Sequence, residues 1–328
     1  MRSPIVVVAD GIVCLDDLYG VNACATEISP WEVLMNDAGV KQESKGAAAV
    51  SARFDVRPLS ETMAAEIVGV DLSQPLDGQT RDAVLAAFLR YKVLAFRNQK
   101  LSKSEQIAFS EQFGTLERHA KGNIGNDDYP LVHTVTNLGA DGQPTGVVKS
   151  TRWHSDKSFR PEPSMATILH AVTLPPDGGD TCFADMQSGF EALPESEKTN
   201  LSGMKVIHSW QHSRENVGKS FTQEELDDAP DMTHPLVRVH PETGERALFL
   251  GMHAAFLDDR SKEDSQAKIE ELEDHCTQEH FVYRHHWQEG DVLMWDNRCL
   301  LHRADPNFDA AKFPRVMHRT CLRGTPTS

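Results

Sequence analysis

From Phe54 onward, short apolar runs and amphipathic runs follow one another without the regular strand–helix alternation that a parallel, doubly wound sheet requires. The expected architecture is therefore mainly β with flanking helices, a curved antiparallel sandwich with helical buttresses. Helices are marked by their starts. Val84, Leu85, Phe88 and Leu89 recur at helical spacing after the polar Asp77-Gly78-Gln79-Thr80. Ser102 with Glu105 and Thr222 with Glu225 have capping-box spacing, and Ser261 with Asp264 opens a helix through Ile269, Leu272 and Cys276. Phe281 to Trp287 and Val292 to Trp295, joined by the turn Gln288-Glu289-Gly290-Asp291, predict a hairpin feeding a long loop. Arg315 to Leu322 reads as a strand with Arg315, Met317, Arg319 and Cys321 on one face and Val316, His318, Thr320 and Leu322 on the other.

Charge narrows the partners. Against 33 Lys and Arg stand 49 Asp and Glu, a net charge of −16 with histidine neutral, which argues against nucleic acid or an anionic membrane. The six cysteines form no C-x-x-C pair and no regular spacing, so neither a zinc ribbon nor a disulfide framework is expected. No apolar run approaches the roughly 20 residues of a membrane-spanning helix. Ile5 to Leu15 is broken by Asp10 and Gly11 and is followed by Asp16 and Asp17, a poor signal peptide, so the expected location is cytoplasmic. Residues 1–50 read as an N-terminal extension with a linker and residues 51–328 as one domain.

In Trp153-His154-Ser155-Asp156 an imidazole and a carboxylate stand two positions apart, which on extended backbone puts both on one side. Two ligands on one face need a third. A 2-His-1-carboxylate triad binds Fe(II) on one octahedral face, and the candidate for the remaining ligand is His302, 148 residues from His154, which requires a sheet that brings remote strands together. Arg315 and Arg319 lie about 13 Å apart at about 3.3 Å per residue, and two guanidiniums facing one pocket suit two carboxylates. His208 and His212 lack an H-E-x-x-H context and read as structural. Of His285-His286 at most one faces the pocket, His318 points away from the arginines, and Gly178-Gly179 reads as a turn. Trp295 reads as core, and Asp296 with Asn297 as ties for the loop that carries His302.

Taken together, Trp153-His154-Ser155-Asp156, Gly178-Gly179-Asp180-Thr181, Trp295-Asp296-Asn297-Arg298, His302 and Arg315-Val316-Met317-His318-Arg319-Thr320 resemble the TauD/TfdA family of Fe(II)- and 2-oxoglutarate-dependent dioxygenases, from about residue 54 to 324. The resemblance implies a double-stranded β-helix, or jelly roll. It implies that His154, Asp156 and His302 hold Fe(II), that Arg315 assisted by Thr181 binds the distal carboxylate of 2-oxoglutarate, and that Arg319 grips the anionic head of the prime substrate. His119 falls where some members place a substrate-contacting histidine, with Lys121 a rival. The implied reaction consumes O2 and decarboxylates 2-oxoglutarate to succinate and CO2 while a small carboxylate- or sulfonate-bearing substrate is oxidised. His154 to Phe159 and Ala247 to Ala254 look closest to aryloxyalkanoate-cleaving members, with amino acids, sulfonates and alkyl sulfates open as substrates. The resemblance also implies a dimer or tetramer. From the residues alone, a mononuclear metal hydrolase and a jelly-roll binding protein without turnover remain as alternatives.

Overall fold

A computed structural model describes residues 7–9, 12–14, 54–118 and 128–327. Contacts divide the chain into two compact units, Met1–Ala49 and Val50–Ser328. In the first, β1 (Val7–Ala9) pairs antiparallel with β2 (Ile12–Cys14).

In the second unit, β3 (Asp55–Pro58) and β4 (Ala65–Val68) lead to helix α1 (Gly78–Tyr91), which starts where the Asp77 side chain accepts the Thr80 amide. Lys92, with φ 64°, closes α1 and turns the chain into β5 (Val93–Phe96). The capping box of Ser102 and Glu105 forms as its spacing predicts and opens α2 (Lys103–Glu111). Strands β6 (His133–Thr136), β7 (Ala166–Thr173) and β8 (Thr181–Asp185) follow, then short helices α3 (Met186–Glu191) and α4 (Glu195–Leu201). Next come β9 (Lys205–His208), α5 (Trp210–Glu215) and α6 (Gln223–Asp228), the last opened by the Thr222–Glu225 capping box. Strands β10 (Met232–Pro235), β11 (Val237–Val239), β12 (Arg246–Leu248) and β13 (Ala254–Leu257) precede α7 (Lys262–Cys276), capped by Ser261. The chain ends through β14 (Val282–His285), β15 (Val292–Asp296), β16 (Leu300–Ala304) and β17 (Val316–Leu322).

The largest sheet has seven strands in the order β3-β4-β5-β15-β7-β17-β6, antiparallel except for β4 with β5. A three-stranded sheet, β14-β8-β16, shares its core, where Phe183 of β8 meets Trp295 of β15 edge to face at 5.4 Å. On the outer face of the large sheet lies α2, with Ser110 Oγ 2.8 Å from Thr320 Oγ1 and Gln106 Nε2 donating to the His318 carbonyl at 3.0 Å. The molecule is thus mainly sheet with flanking helices, as the patterning requires.

Two expectations are corrected. β14 and β15 do not form a hairpin: β14 pairs with β8, and β15 with β5 and β7. The turn between them exists, with Gly290 at φ 80°, but it is a corner that carries the chain from one sheet to the other, because each strand buries its apolar face against different partners. His302 lies on β16 and not on a loop, since the link from β15 is only Asn297-Arg298-Cys299.

Candidate active site

The separation of 148 positions from His154 to His302 is closed by the main chain itself. The His154 amide donates to the His302 carbonyl at 3.0 Å, the His302 amide returns a bond at 2.8 Å, and the rings lie 4.2 Å apart between centroids. β16 holds His302 against β8 through Phe183. Two residues after His154 the chain turns, and Asp156 Oδ2 lies 3.8 Å from His302 Nε2. One ligand atom from each of the three lies within 4.8 Å of the others, and all three residues are buried.

Charge and hydrogen bonds set the protonation of these three side chains. His154 Nδ1 lies 2.9 Å from the Arg152 carbonyl and donates to it, which leaves Nε2 as a free lone pair. Burial lowers the pKa of His154, and burial together with His154 puts His302 well below 6.5, so both imidazoles are neutral at pH 7. His302 Nδ1 is buried with no hydrogen-bond partner. Burial alone would raise the pKa of Asp156, but Arg319, the two histidines and the Thr167 hydroxyl outweigh it and hold the carboxyl well below the usual carboxylate range. Two neutral nitrogens and one anionic oxygen on one side of a buried space fit a divalent cation such as Fe(II).

Asp156 is itself held. Arg319 Nη1 donates to its Oδ1 at 2.9 Å and Thr167 Oγ1 to its Oδ2 at 2.6 Å. Asn297 ties this corner together: its Nδ2 donates to Thr167 Oγ1, its Oδ1 accepts from Trp295 Nε1, and its carbonyl accepts from Ser155 Oγ. Asp296 takes a different partner set, with Arg298 forked across both its oxygens and His240 Nε2 at 3.0 Å from Oδ2. His240, Asp296 and Cys299 also have metal-binding spacing, but the Arg298 guanidinium already supplies the cation there.

Arg315 sits just before β17, with its amide on Asn137 Oδ1 at 2.7 Å and its Nε on the Gly179 carbonyl at 3.0 Å. Burial lowers its pKa to about 10, only partly offset by Asp180, and its two terminal nitrogens donate to no described residue. A buried guanidinium with an open fork fits a carboxylate. Gly178 and Gly179 form the predicted turn at φ 73° and 72°, and a Cβ on Gly179 would stand 3.2 Å from both Cδ and Nε of Arg315. Thr181 is buried at the start of β8, where its hydroxyl accepts from Trp287 Nε1 at 3.0 Å and makes no hydrogen bond to Arg315. Arg319 follows Met317 on the same inward face of β17, as alternation predicts, despite a register shift that skips Val172 of β7.

His119 and Lys121 lie outside the described residues. His208 ends β9 and His212 lies in α5, so they share no helix face. His285 pairs with Asp291 and His286 with Asp180, each at 3.0 Å, and neither joins His154, Asp156 and His302. Sequence reasoning missed Thr167, Asn297 as a tie to Asp156, His133 opposite Arg319 in the β6–β17 register, and His253. His253 packs its ring 4.9 Å from Phe159 with Nδ1 on Ser158 Oγ, and burial and His154 hold its pKa at about 3. Its one legible signal was Gly251 two residues earlier, at φ 101°, where a Cβ would press on the His154 Cα at 3.1 Å.

The model of the family described as "Taurine catabolism dioxygenase TauD, TfdA family" matches residues 55–321. This chain belongs to the TauD/TfdA family. Its relatives include the alpha-ketoglutarate-dependent 2,4-dichlorophenoxyacetate dioxygenase of Cupriavidus pinatubonensis, 35% identical over 75% of this chain and 90% of that one. The (S)-phenoxypropionate/alpha-ketoglutarate-dioxygenase of Delftia acidovorans is 34% identical over 83% of this chain and 96% of its own. Among solved structures, AAD-2 in complex with Mn(II) and N-oxalylglycine superposes with a TM-score of 0.74 at 33% identity, covering 84% of this chain and 98% of that one. This TauD/TfdA member is a non-haem Fe(II)- and 2-oxoglutarate-dependent dioxygenase, an oxidoreductase that uses O2. The hydrolase and the turnover-free binding protein give way to that finding. No helix among the described residues is long and apolar enough to cross a membrane.

Proposed function

We infer that this dioxygenase oxidises an aryloxyalkanoate at the carbon beside the ether oxygen, within a double-stranded β-helix made by the two sheets that share the Phe183–Trp295 core. His154, Asp156 and His302 are its metal ligands. Arg315, bonded to the Gly178-Gly179 turn that leads into Thr181, receives the distal carboxylate of 2-oxoglutarate, and Arg319 receives the substrate carboxylate. The iron, with 2-oxoglutarate and O2, supplies the oxidation and yields succinate and CO2. The chain supplies position: two arginines on one strand face fix two anions, and neutral His154 and His302 each keep one nitrogen lone pair open beside the ionised Asp156 at neutral pH. Replacing one C–H of the O–CH unit by C–OH makes a hemiacetal, which collapses to a phenol and a carbonyl acid.

The observation that carries this reading is the buried Arg315 guanidinium with its open fork, four residues before Arg319, which itself bonds Asp156 of the trio. The aryloxy class is supported by the substrates named for the relatives from Cupriavidus pinatubonensis and Delftia acidovorans. The free, buried state of Cys182, Cys276, Cys299 and Cys321 supports a cytoplasmic location. Succinate formation from 2-oxoglutarate by Fe(II)-loaded protein, across aryloxy acids, amino acids, sulfonates and sulfate esters, tests the assignment. Stimulation by aryloxy acids with release of a phenol is expected, and stimulation by another class alone refutes the substrate. His154→Ala or Asp156→Ala should abolish turnover, and unchanged activity in either removes that ligand.

A further inference from the structure

The pairing of Arg319 with Asp156 is demanded by neither role given to these residues. Both oxygens of the Asp156 carboxylate are engaged within the chain, Oδ1 by Arg319 at 2.9 Å and Oδ2 by Thr167 at 2.6 Å. Arg319 gives one nitrogen to this contact. Its Nε is buried without a hydrogen-bond partner, and Nη2 donates to no described residue.

Asp156 is also the main counter-charge available to Arg319. Glu117, the other acid that acts on it, is paired with Lys157 and accepts from Ser164 Oγ at 3.0 Å. His133, across from Arg319 in the register of β6 and β17, is kept neutral by burial, with a pKa of about 4. The Cys321 thiol on the same strand is pushed up to about 11 by burial and stays protonated. The Arg319 side chain, 22% exposed, therefore gives one edge to the Asp156 carboxylate and keeps Nη2 without a partner among the described residues.

We propose that Arg319 is a positioning residue of the metal centre as well as the substrate anchor, so that an anion bound to Arg319 and a metal bound at Asp156 strengthen each other. The proposal rests on the reading of His154, Asp156 and His302 as ligands and of Arg319 as the anchor. A guanidinium hydrogen-bonded to a carboxylate draws on the same lone pairs that a cation uses, and its charge repels that cation. A carboxylate arriving on the free edge of Arg319 neutralises this charge and returns donor strength to Asp156. By linkage, the factor by which the anion tightens the metal equals the factor by which the metal tightens the anion.

The test is Mn(II) binding to the full chain without 2-oxoglutarate, read from the electron paramagnetic resonance of free Mn(II). Arg319→Gln keeps an N–H for Asp156 Oδ1 and removes the charge. It should bind Mn(II) about tenfold more tightly than the wild type, the size of an ordinary coupling between sites. Arg319→Lys, which keeps the charge, should stay within about threefold of the wild type, as should Arg315→Gln, whose lost charge touches no metal ligand. Bound phenoxyacetate should tighten Mn(II) about fivefold in the wild type, and not in Arg319→Gln. Mn(II) binding by Arg319→Gln no tighter than by the wild type, or indifference of the wild-type Mn(II) affinity to bound phenoxyacetate, overturns the coupling and leaves the ligand assignment standing. Wild-type Mn(II) affinity in Asp156→Asn overturns the ligand assignment, and the coupling with it.

Discussion

Substituting Gly179 by alanine probes the 2-oxoglutarate site proposed at Arg315 without touching His154, Asp156 or His302. At φ 72° the new Cβ costs about 1 kcal/mol of left-handed strain. It would also stand 3.1 Å from Pro175 Cγ and 3.2 Å from Cδ and Nε of Arg315, tighter than ordinary packing. Arg315 is only 7% exposed and its Nε is bonded to the carbonyl of the same residue 179, so the side chain has little room to swing clear. A hydrogen bond to a charged group contributes about 1.5–3 kcal/mol, so losing one arm of the fork to a carboxylate should weaken binding by a factor of about ten or more. Isothermal titration of 2-oxoglutarate into Mn(II)-loaded protein should show this weakening, while Mn(II) affinity stays unchanged and unfolding stability falls by about 1–2 kcal/mol. Unaltered 2-oxoglutarate affinity alongside the stability loss would refute the placement of that carboxylate on Arg315.

Asp296→Asn breaks the buried set of Arg298, His240 and Glu242 and should cost about 3–5 kcal/mol in urea unfolding, because Arg298 keeps its buried charge. A loss under 1 kcal/mol would show that Glu242 alone suffices for Arg298. Burial raises the pKa of Glu273 from 4.5 to about 7, with Asp274 and Glu270 adding and Arg152 opposing. The folded chain then holds more protons here than the unfolded one between those values, so stability should fall by about 1–3 kcal/mol as pH rises from 5 to above 7. Glu273→Gln should flatten that slope, and parallel urea midpoints for both proteins from pH 5 to 8 would count against it.

What could be read from the chain was local or periodic. The starts at Ser102, Thr222 and Ser261 were legible because a cap is a contact over three residues. The inward pair Arg315 and Arg319 followed from alternation along one strand, and the shift opposite Val172 did not disturb it. That His154, Asp156 and His302 come together was legible as a motif with a partner far along the chain, whereas the contacts that steady them were not. Thr167 reaches Asp156 across a strand, and Asn297 reaches Thr167 over 130 residues, with no composition or spacing to announce either. The supposed hairpin of β14 and β15 failed for a related reason. A Gly-containing turn between two apolar runs looks alike whether the runs pair with each other or part to different sheets, and only burial against β8 on one side and β5 and β7 on the other decides it.

The two amide-to-carbonyl bonds that join His154 to His302 have a consequence for how such a centre changes over time. They belong to atoms that every residue except proline shares, so the spacing of the two imidazoles does not depend on which side chains line the cavity around them. Loops beyond β16 and after His154 are thereby free to drift, lengthen or exchange apolar for polar surface while the oxidising centre stays in register. New substrates would come from redecorating the walls, and the chemistry would be inherited intact.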